Sequence, residues 1–198
     1  FHTEFIAQGD YIALPQVSSE RRSIIPMAFL GADVLCGDKL RLIDQATLYD
    51  FGVLTSAMHM AWMRTVSGRL KSDYQYSAKI TYNNFPWPEP SDDDKHRAAI
   101  ETAAQAVLDA RARFPEATLA DLYDPLTMPP ALVKAHAALD KAVDAAYTVA
   151  EKTAGRKPPK LTTDAERVAF LFERYQALTS LLPVTKAKAV RKRKGANA

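Results

Sequence analysis

A run of apolar residues at helical spacing, following Asp44 and closing at Gly68, constrains this chain more than any other feature. Leu48, Phe51, Leu54, Met58 and Trp62 recur at intervals of three or four and lay one apolar stripe along a helix. Val53, Ala57, Met60 and Ala61 widen that stripe until the helix is apolar nearly all round, which predicts a buried scaffold element. Asp44 is expected to cap the first turn. Gly68 is expected to end the helix in the left-handed conformation that costs glycine least.

The character of the chain changes at that glycine. Arg69, Lys71, Ser72, Asp73, Tyr74, Gln75, Tyr76 and Ser77 are almost all hydrogen-bonding side chains, and they form a polar and basic loop leading to a strand that the prolines around Trp87 close. Arg and Lys match guanine O6 and N7, Gln matches adenine, and Asp accepts from the amino group of cytosine, so the composition suits base-edge readout. By itself composition favours a solvated loop, since such loops are far commoner than base-reading ones.

Residues 1–43 read as β-rich. Tyr11 to Leu14 is a strand that Pro15 ends or places at an edge. Ser23 to Ile25 and Met27 to Leu30 form another, interrupted by Pro26, and Lys39 to Leu42 alternates like a half-exposed strand. Between them Ser18-Ser19-Glu20-Arg21-Arg22 is a polar corner. Either its charges are simply solvated, or Arg21 or Arg22 contacts a phosphate or base. Ser19 has no histidine base at a recognisable spacing, which removes it as a nucleophile.

Beyond Pro90 the composition turns to alanine, charge and helix. Asp92-Asp93-Asp94 suits capping better than metal binding, because consecutive side chains at a helix start point in different directions. Ile100, Ala103, Ala104, Val107 and Leu108 form the stripe of a helix running to about Phe114, which Pro115 stops. Leu119 to Tyr123 is a short turn, and Pro129-Pro130 opens a helix with Leu132, His136, Leu139, Val143 and Tyr147 inward. A polar linker, EKTAGRKPPK, precedes Thr163-Asp164-Ala165-Glu166, whose capping-box spacing starts a last helix with Val168, Leu171, Tyr175, Leu178 and Leu182 inward. Pro183 ends it, and the tail beyond is expected to be disordered.

The overall charge of +3 hides an uneven distribution. Residues 1–90 carry a net −1, residues 91–183 a net −2, and residues 184–198 a net +6. A slightly acidic body does not bind nucleic acid by bulk charge, although Arg64, Arg69, Lys71 and Lys79 give a local positive excess beside Asp73. No apolar run approaches the roughly 20 residues that span a bilayer. Cys36 is the single cysteine, which excludes an internal disulfide and a cysteine-based zinc site, and His2, His59, His96 and His136 lack ligand spacing. These features point to a soluble, cytoplasmic chain.

Several segments in one order carry a resemblance. They are Phe51-Gly52-Val53-Leu54-Thr55-Ser56-Ala57-Met58, Trp62, Gly68-Arg69-Leu70-Lys71-Ser72-Asp73-Tyr74, and Tyr82-Asn83-Asn84-Phe85-Pro86-Trp87-Pro88. Upstream stand Ser18 to Arg22 with Ile25-Pro26. Downstream stand Ala106 to Arg111, Leu119 to Leu126, Lys134-Ala135-His136 and Leu139-Asp140. Over about residues 11 to 178 the chain resembles the C-terminal part of class I adenine-specific DNA methyltransferases of the MmeI-like restriction-modification family, in which methyltransferase and often endonuclease share one polypeptide.

The resemblance implies an α+β chain. A partial target-recognition domain would occupy residues 1–90 and a helical C-terminal domain residues 91–182, with a basic tail at 183–198. It implies double-stranded DNA as partner, and base-reading roles for Lys71 and Asp73, the two positions spaced by one residue after Gly-Arg-Leu. Gln75 is the next reader and departs from the basic residue often found there. Arg64, Arg69, Arg21 and Arg22 are assigned to the DNA backbone or to bracing the loop. The cofactor S-adenosylmethionine and the catalytic residues would belong to an N-terminal domain of the same polypeptide. The seven glycines nowhere fall in Gly-x-Gly spacing, and Asn83-Asn84-Phe85-Pro86-Trp87 has the wrong order for the adenine-methylation motif and reads as an exit turn. The chain also opens at Phe1 in mid-pattern, as a C-terminal fragment would, and no catalysis is expected of it alone. A reading from another class remains: a structural module whose helices dock a partner subunit, which salt would affect far less than a DNA reader.

Overall fold

The computed structural model describes residues 6–88 and 95–180. The expected caps at Asp92 to Asp94, the inward Leu182 and the basic tail lie outside them. Two small antiparallel sheets and a set of helices make an α+β fold. In the first sheet β1 (Tyr11–Pro15) is central, between β3 (Ala28–Leu30) and β4 (Leu40–Ile43). After Pro15 the chain passes directly to β2 (Val17–Ser18) in the second sheet. Gln16 joins the two sheets, its N–H donating to the Lys39 carbonyl (3.1 Å) and its carbonyl accepting from the Tyr76 N–H (2.9 Å). Ser23 to Ile25 is not a strand. Pro26 removes a ladder donor, and the segment anchors instead on the helix behind it, through the Ile25 N–H to Met60 Sδ (3.4 Å) and the Ser23 carbonyl to Arg64 (2.7 Å).

The expected long helix is present but divided. α1 (Leu48–Thr55) starts from a Thr47 and Asp50 capping box, three residues later than Asp44, whose carboxylate instead accepts the Gln8 N–H. At Ser56 the backbone turns extended (φ −77°, ψ 160°), so that one serine ends α1 and caps α2 (Ala57–Val66). Both halves are buried on nearly every side, as the apolar stripe requires. α2 ends on Ser67 rather than on a left-handed Gly68, which opens a strand. The expected strand before Phe85 is a π-helical turn, Ala78–Tyr82, capped by Ser77 and held by Asn84 Nδ2 on the carbonyls of Lys79 and Ile80. Ser67 and Thr81 hydroxyls meet at 2.9 Å, and Trp62 Nε1 donates to the Thr81 carbonyl at 3.0 Å, so side-chain bonds outweigh the strand pattern of Ile80-Thr81-Tyr82.

The remaining helices are α3 (Lys95–Ala112), α4 (Leu119–Leu122), α5 (Pro130–Thr153) and α6 (Asp164–Thr179). Leu132, His136, Leu139, Val143 and Tyr147 are all buried on α5, and the Thr163 and Glu166 capping box is formed. On α6 the inward face is shifted: Phe170, Leu171 and Arg174 are buried while Leu178 is 65% exposed. Arg174 can occupy a buried position because Glu151 (2.6 Å) and the Trp87 carbonyl (3.0 Å) receive its N–H groups.

One hydrophobic core runs through both halves of the chain, from Leu14 and Met27 through Leu54, Met58 and Trp62 to Ile100, Leu139 and Leu171. Each such side chain removed from water stabilises by roughly 1.5–3 kcal/mol. Gly52 lets α1 lie against α3 and α5, since a Cβ there would come within 2.7 Å of Ile100 Cγ2. Polar contacts cross the same junction: Arg111 Nη1 to the Met27 carbonyl (2.8 Å), Ala57 N–H to Asp140 Oδ1 (2.7 Å) and Tyr147 Oη to the Pro86 carbonyl (3.0 Å). The helical half is thereby bolted to the back of the β-rich half.

Candidate nucleic-acid interface

The second sheet brings two sequence-distant polar segments together. β6 (Asp73–Gln75) pairs on one side with β2 and on the other with β5 (Gly68–Leu70), so the polar loop is a hairpin and its base is the strand before the 19–22 corner. The turn contains no glycine. Lys71 takes the left-handed position with φ 57°, at a cost of roughly 1 kcal/mol for a residue with a Cβ.

Cross-strand partners share a face. Arg69 is opposite Tyr74 and Tyr74 opposite Ser18, and the buried Tyr74 and Ser18 mark this as the inner face. Leu70 opposite Asp73, and Gly68 and Val17 opposite Gln75, form the outer face. Gln75 is exposed there, Asp73 is half-buried and Lys71 is exposed at the tip. Asp73 Oδ1 accepts the Glu20 N–H at 3.2 Å, which ties the corner to the hairpin.

Arg21 is exposed on that corner and its N–H turns back to Ser19 Oγ. Arg22 is half-buried, and its Nε is shut from solvent with no hydrogen-bond partner among the described residues. Arg64 lies apart, donating to the Ser23 carbonyl and to Asp164 at 2.6 Å, and so links the corner to α6. The strand pairing and the Glu20 to Asp73 bond bring the corner that carries Arg21 and Arg22 beside the hairpin that carries Arg69, Lys71, Asp73 and Gln75, while Arg64 is set in the framework. Glu20 and Tyr74 are the contributors that sequence reading passed over. The alternation of Asp73, Tyr74 and Gln75 is the signal that separates inner from outer side chains.

The hairpin rests on a rigid base. Tyr76 follows β6 into the core and its hydroxyl meets His59 Nε2 at 3.0 Å, while His59 Nδ1 is 2.7 Å from the Leu54 carbonyl. Burial lowers the His59 pKa to about 4 and raises that of Tyr76. The imidazole is therefore neutral, donating from Nδ1 and accepting at Nε2. It is a fixed strut rather than a proton shuttle.

Among the described residues nothing shows a cradle for a methyl-donor cofactor. Gly52 is filled around by Ile100, Ala104 and Leu139, Gly68 begins a strand, and among the described residues no glycine-rich loop faces a helix N-terminus. Nor does any group of His, Cys, Asp and Glu suited to a metal occur among them.

Two family models match the chain in succession: the MmeI target recognition domain over residues 2–89, and the MmeI C-terminal domain over residues 92–183. DNA methyltransferase A of Bacillus subtilis (strain 168) is 42% identical over 168 residues, which is 85% of this chain and 18% of that protein. A solved structure of the Type IIL restriction-modification enzyme MmeI in complex with DNA matches with a TM-score of 0.79 and 46% identity, over 89% of this chain and 22% of that one. The chain belongs to the MmeI family and carries its target recognition and C-terminal domains. It spans about a fifth of the length of these two relatives.

Proposed function

We propose that this chain reads DNA sequence for an N6-adenine methyltransferase of the restriction-modification type. An N-terminal part of the same cytoplasmic polypeptide supplies S-adenosylmethionine and the methyl transfer. The observation that carries the reading is the outer face of the hairpin, where a cation at the tip, a carboxylate and a carboxamide stand on a sheet whose other face buries Tyr74 and Ser18. Lys71 donates to guanine and Asp73 accepts from the cytosine amino group, so the two together read one G·C pair, with discrimination of roughly 1–3 kcal/mol against a wrong pair. Gln75 reads beside them. Arg21 and Arg22 approach the phosphates, which position the protein without specifying sequence. The domain division near residue 90 is a division of labour over a shared core: the first part reads, and the helical part holds the reader rigid.

The test uses the complete polypeptide. A Lys71→Glu, Asp73→Arg double variant should change the preferred base at one position of the methylated motif, seen by sequencing modified bases, while the other positions hold. Methylation at an unchanged motif would show that the hairpin is scaffold.

A further inference from the structure

Arg69 belongs to the reading hairpin and shares a face with the buried Tyr74, although its own side chain is 44% exposed. Its guanidinium carbon lies 3.9 Å from the centroid of the Tyr74 ring. Its Nη1 donates to the Ser72 carbonyl at 2.7 Å and is 3.8 Å from the Glu20 carboxylate. All three contacts are to the two segments that make the reading face, and all lie at or behind the turn that holds Lys71 left-handed. The Glu20 pair is half exposed and contributes little. The stack on a buried ring and the bond to the turn carbonyl fix the geometry.

We infer that Arg69 is a positioning residue for sequence recognition: it clamps the turn so that Lys71 and Asp73 meet a base pair in one orientation, and it does not act as a phosphate contact. This rests on the reading of Lys71 and Asp73 given above. A planar guanidinium can stack on Tyr74 and reach the Ser72 carbonyl at once. A lysine ammonium is a point charge that does not reproduce the pair of contacts. Without the clamp, the left-handed turn has fewer restraints holding Lys71 against its backbone preference.

Arg69→Lys, Arg69→Gln and Tyr74→Leu in the complete polypeptide separate the two roles, with thermal unfolding measured alongside to confirm that each variant is folded. Positioning predicts that all three lose about tenfold in discrimination at the motif position read by Lys71 and Asp73, with the salt dependence of DNA binding unchanged. A phosphate contact predicts the reverse: Arg69→Gln weakens binding to every sequence alike and lowers the salt slope by about 1, while Arg69→Lys restores both. That result, or undiminished discrimination in all three variants, overturns the inference. An unchanged motif in the Lys71→Glu, Asp73→Arg variant overturns the underlying reading as well. A changed motif there, with intact discrimination in the Arg69 variants, overturns this inference alone.

Discussion

His136 Nε2 lies 2.7 Å from the Tyr123 hydroxyl, and that contact fixes a proton. Arg111 donates to the same hydroxyl from Nε at 2.9 Å and from Nη2, so the phenol accepts from the guanidinium and must give its own proton to His136. A protonated Nε2 would face a second donor. Burial first, and the Arg111 charge second, lower the His136 pKa to about 3. The unfolded state of such a histidine binds its proton below about 6.5, so between these values the unfolded chain holds the extra proton and stability falls as the pH is lowered. His59, with a pKa of about 4, adds a second proton of the same sign. The unfolding free energy should therefore drop by about 1.4 kcal/mol per pH unit for each histidine once pH is well below 6.5. Urea midpoints between pH 7 and pH 4.5 check this, and a His136→Gln variant should lose about one proton from the slope. An unaltered slope in that variant would mean that the network is not held neutral by the fold.

The break at Ser56 makes a second prediction. The Ala57 N–H, freed where α1 ends, is satisfied by Asp140 Oδ1 from α5, and desolvation raises the Asp140 pKa. Asp140→Ala leaves a partly buried donor without a partner and should cost about 1–3 kcal/mol. Asp140→Asn keeps an acceptor without a buried charge, so it should lose less at pH 7 than the alanine variant. The raised pKa gives the native state the extra proton just above the ordinary carboxylate range, so this group's contribution declines as pH rises through its folded value, opposite in sign to the histidines. Denaturant titration of the three proteins at pH 7 decides the order.

Gly52 should resist replacement even by alanine. Alanine in a helix interior ordinarily gains up to about 1 kcal/mol over glycine. Here its Cβ would lie 2.7 Å from Ile100 Cγ2, 3.2 Å from Ala104 Cβ and 3.3 Å from Leu139 Cδ1. None of these is the loose end of a flexible chain, so α1 must move off α3. Gly52→Ala should be destabilised by roughly 1–3 kcal/mol. A stabilised variant in thermal unfolding would show that this helix pair has slack.

What was legible in the sequence follows from whether the cause is local. The Thr163 and Glu166 box, the start of α5 at Pro130 and its inward stripe need only neighbours along the chain, and the structure has them. The break at Ser56 was hidden because α1 and α2 share one apolar period, and the partner for the freed N–H is 83 residues away. The hairpin was hidden because its left-handed residue is Lys71, whereas the nearby glycine lies in the strand. The π-helical turn defeats the strand pattern through bonds from Ser77 and Asn84 that no periodicity announces. Arg174 displaces Leu178 from the interior only because Glu151 waits there. At the site, the residue types suited to base reading were visible. The stacking of Arg69 on Tyr74 and the tie from Glu20 to Asp73 depend on strand register, which joins segments 53 residues apart.

Arg21 offers the contrast that separates grip from reading. It is exposed at the corner, next to Glu20, whose N–H is held by Asp73, so its side chain leaves the protein beside the reading face without being part of it. On the proposed reading a cation so placed meets the phosphate chain, whose charge is the same under every base. Arg21→Ala in the complete polypeptide should weaken binding to cognate and unrelated duplexes by similar factors and reduce the slope of log affinity against log salt by about 1. The methylated motif should stay as it is. Binding titrations at three or more salt concentrations, paired with modified-base sequencing, measure both. A shifted motif with an unchanged slope would instead make Arg21 a reader and move the recognition face from the hairpin tip towards the corner.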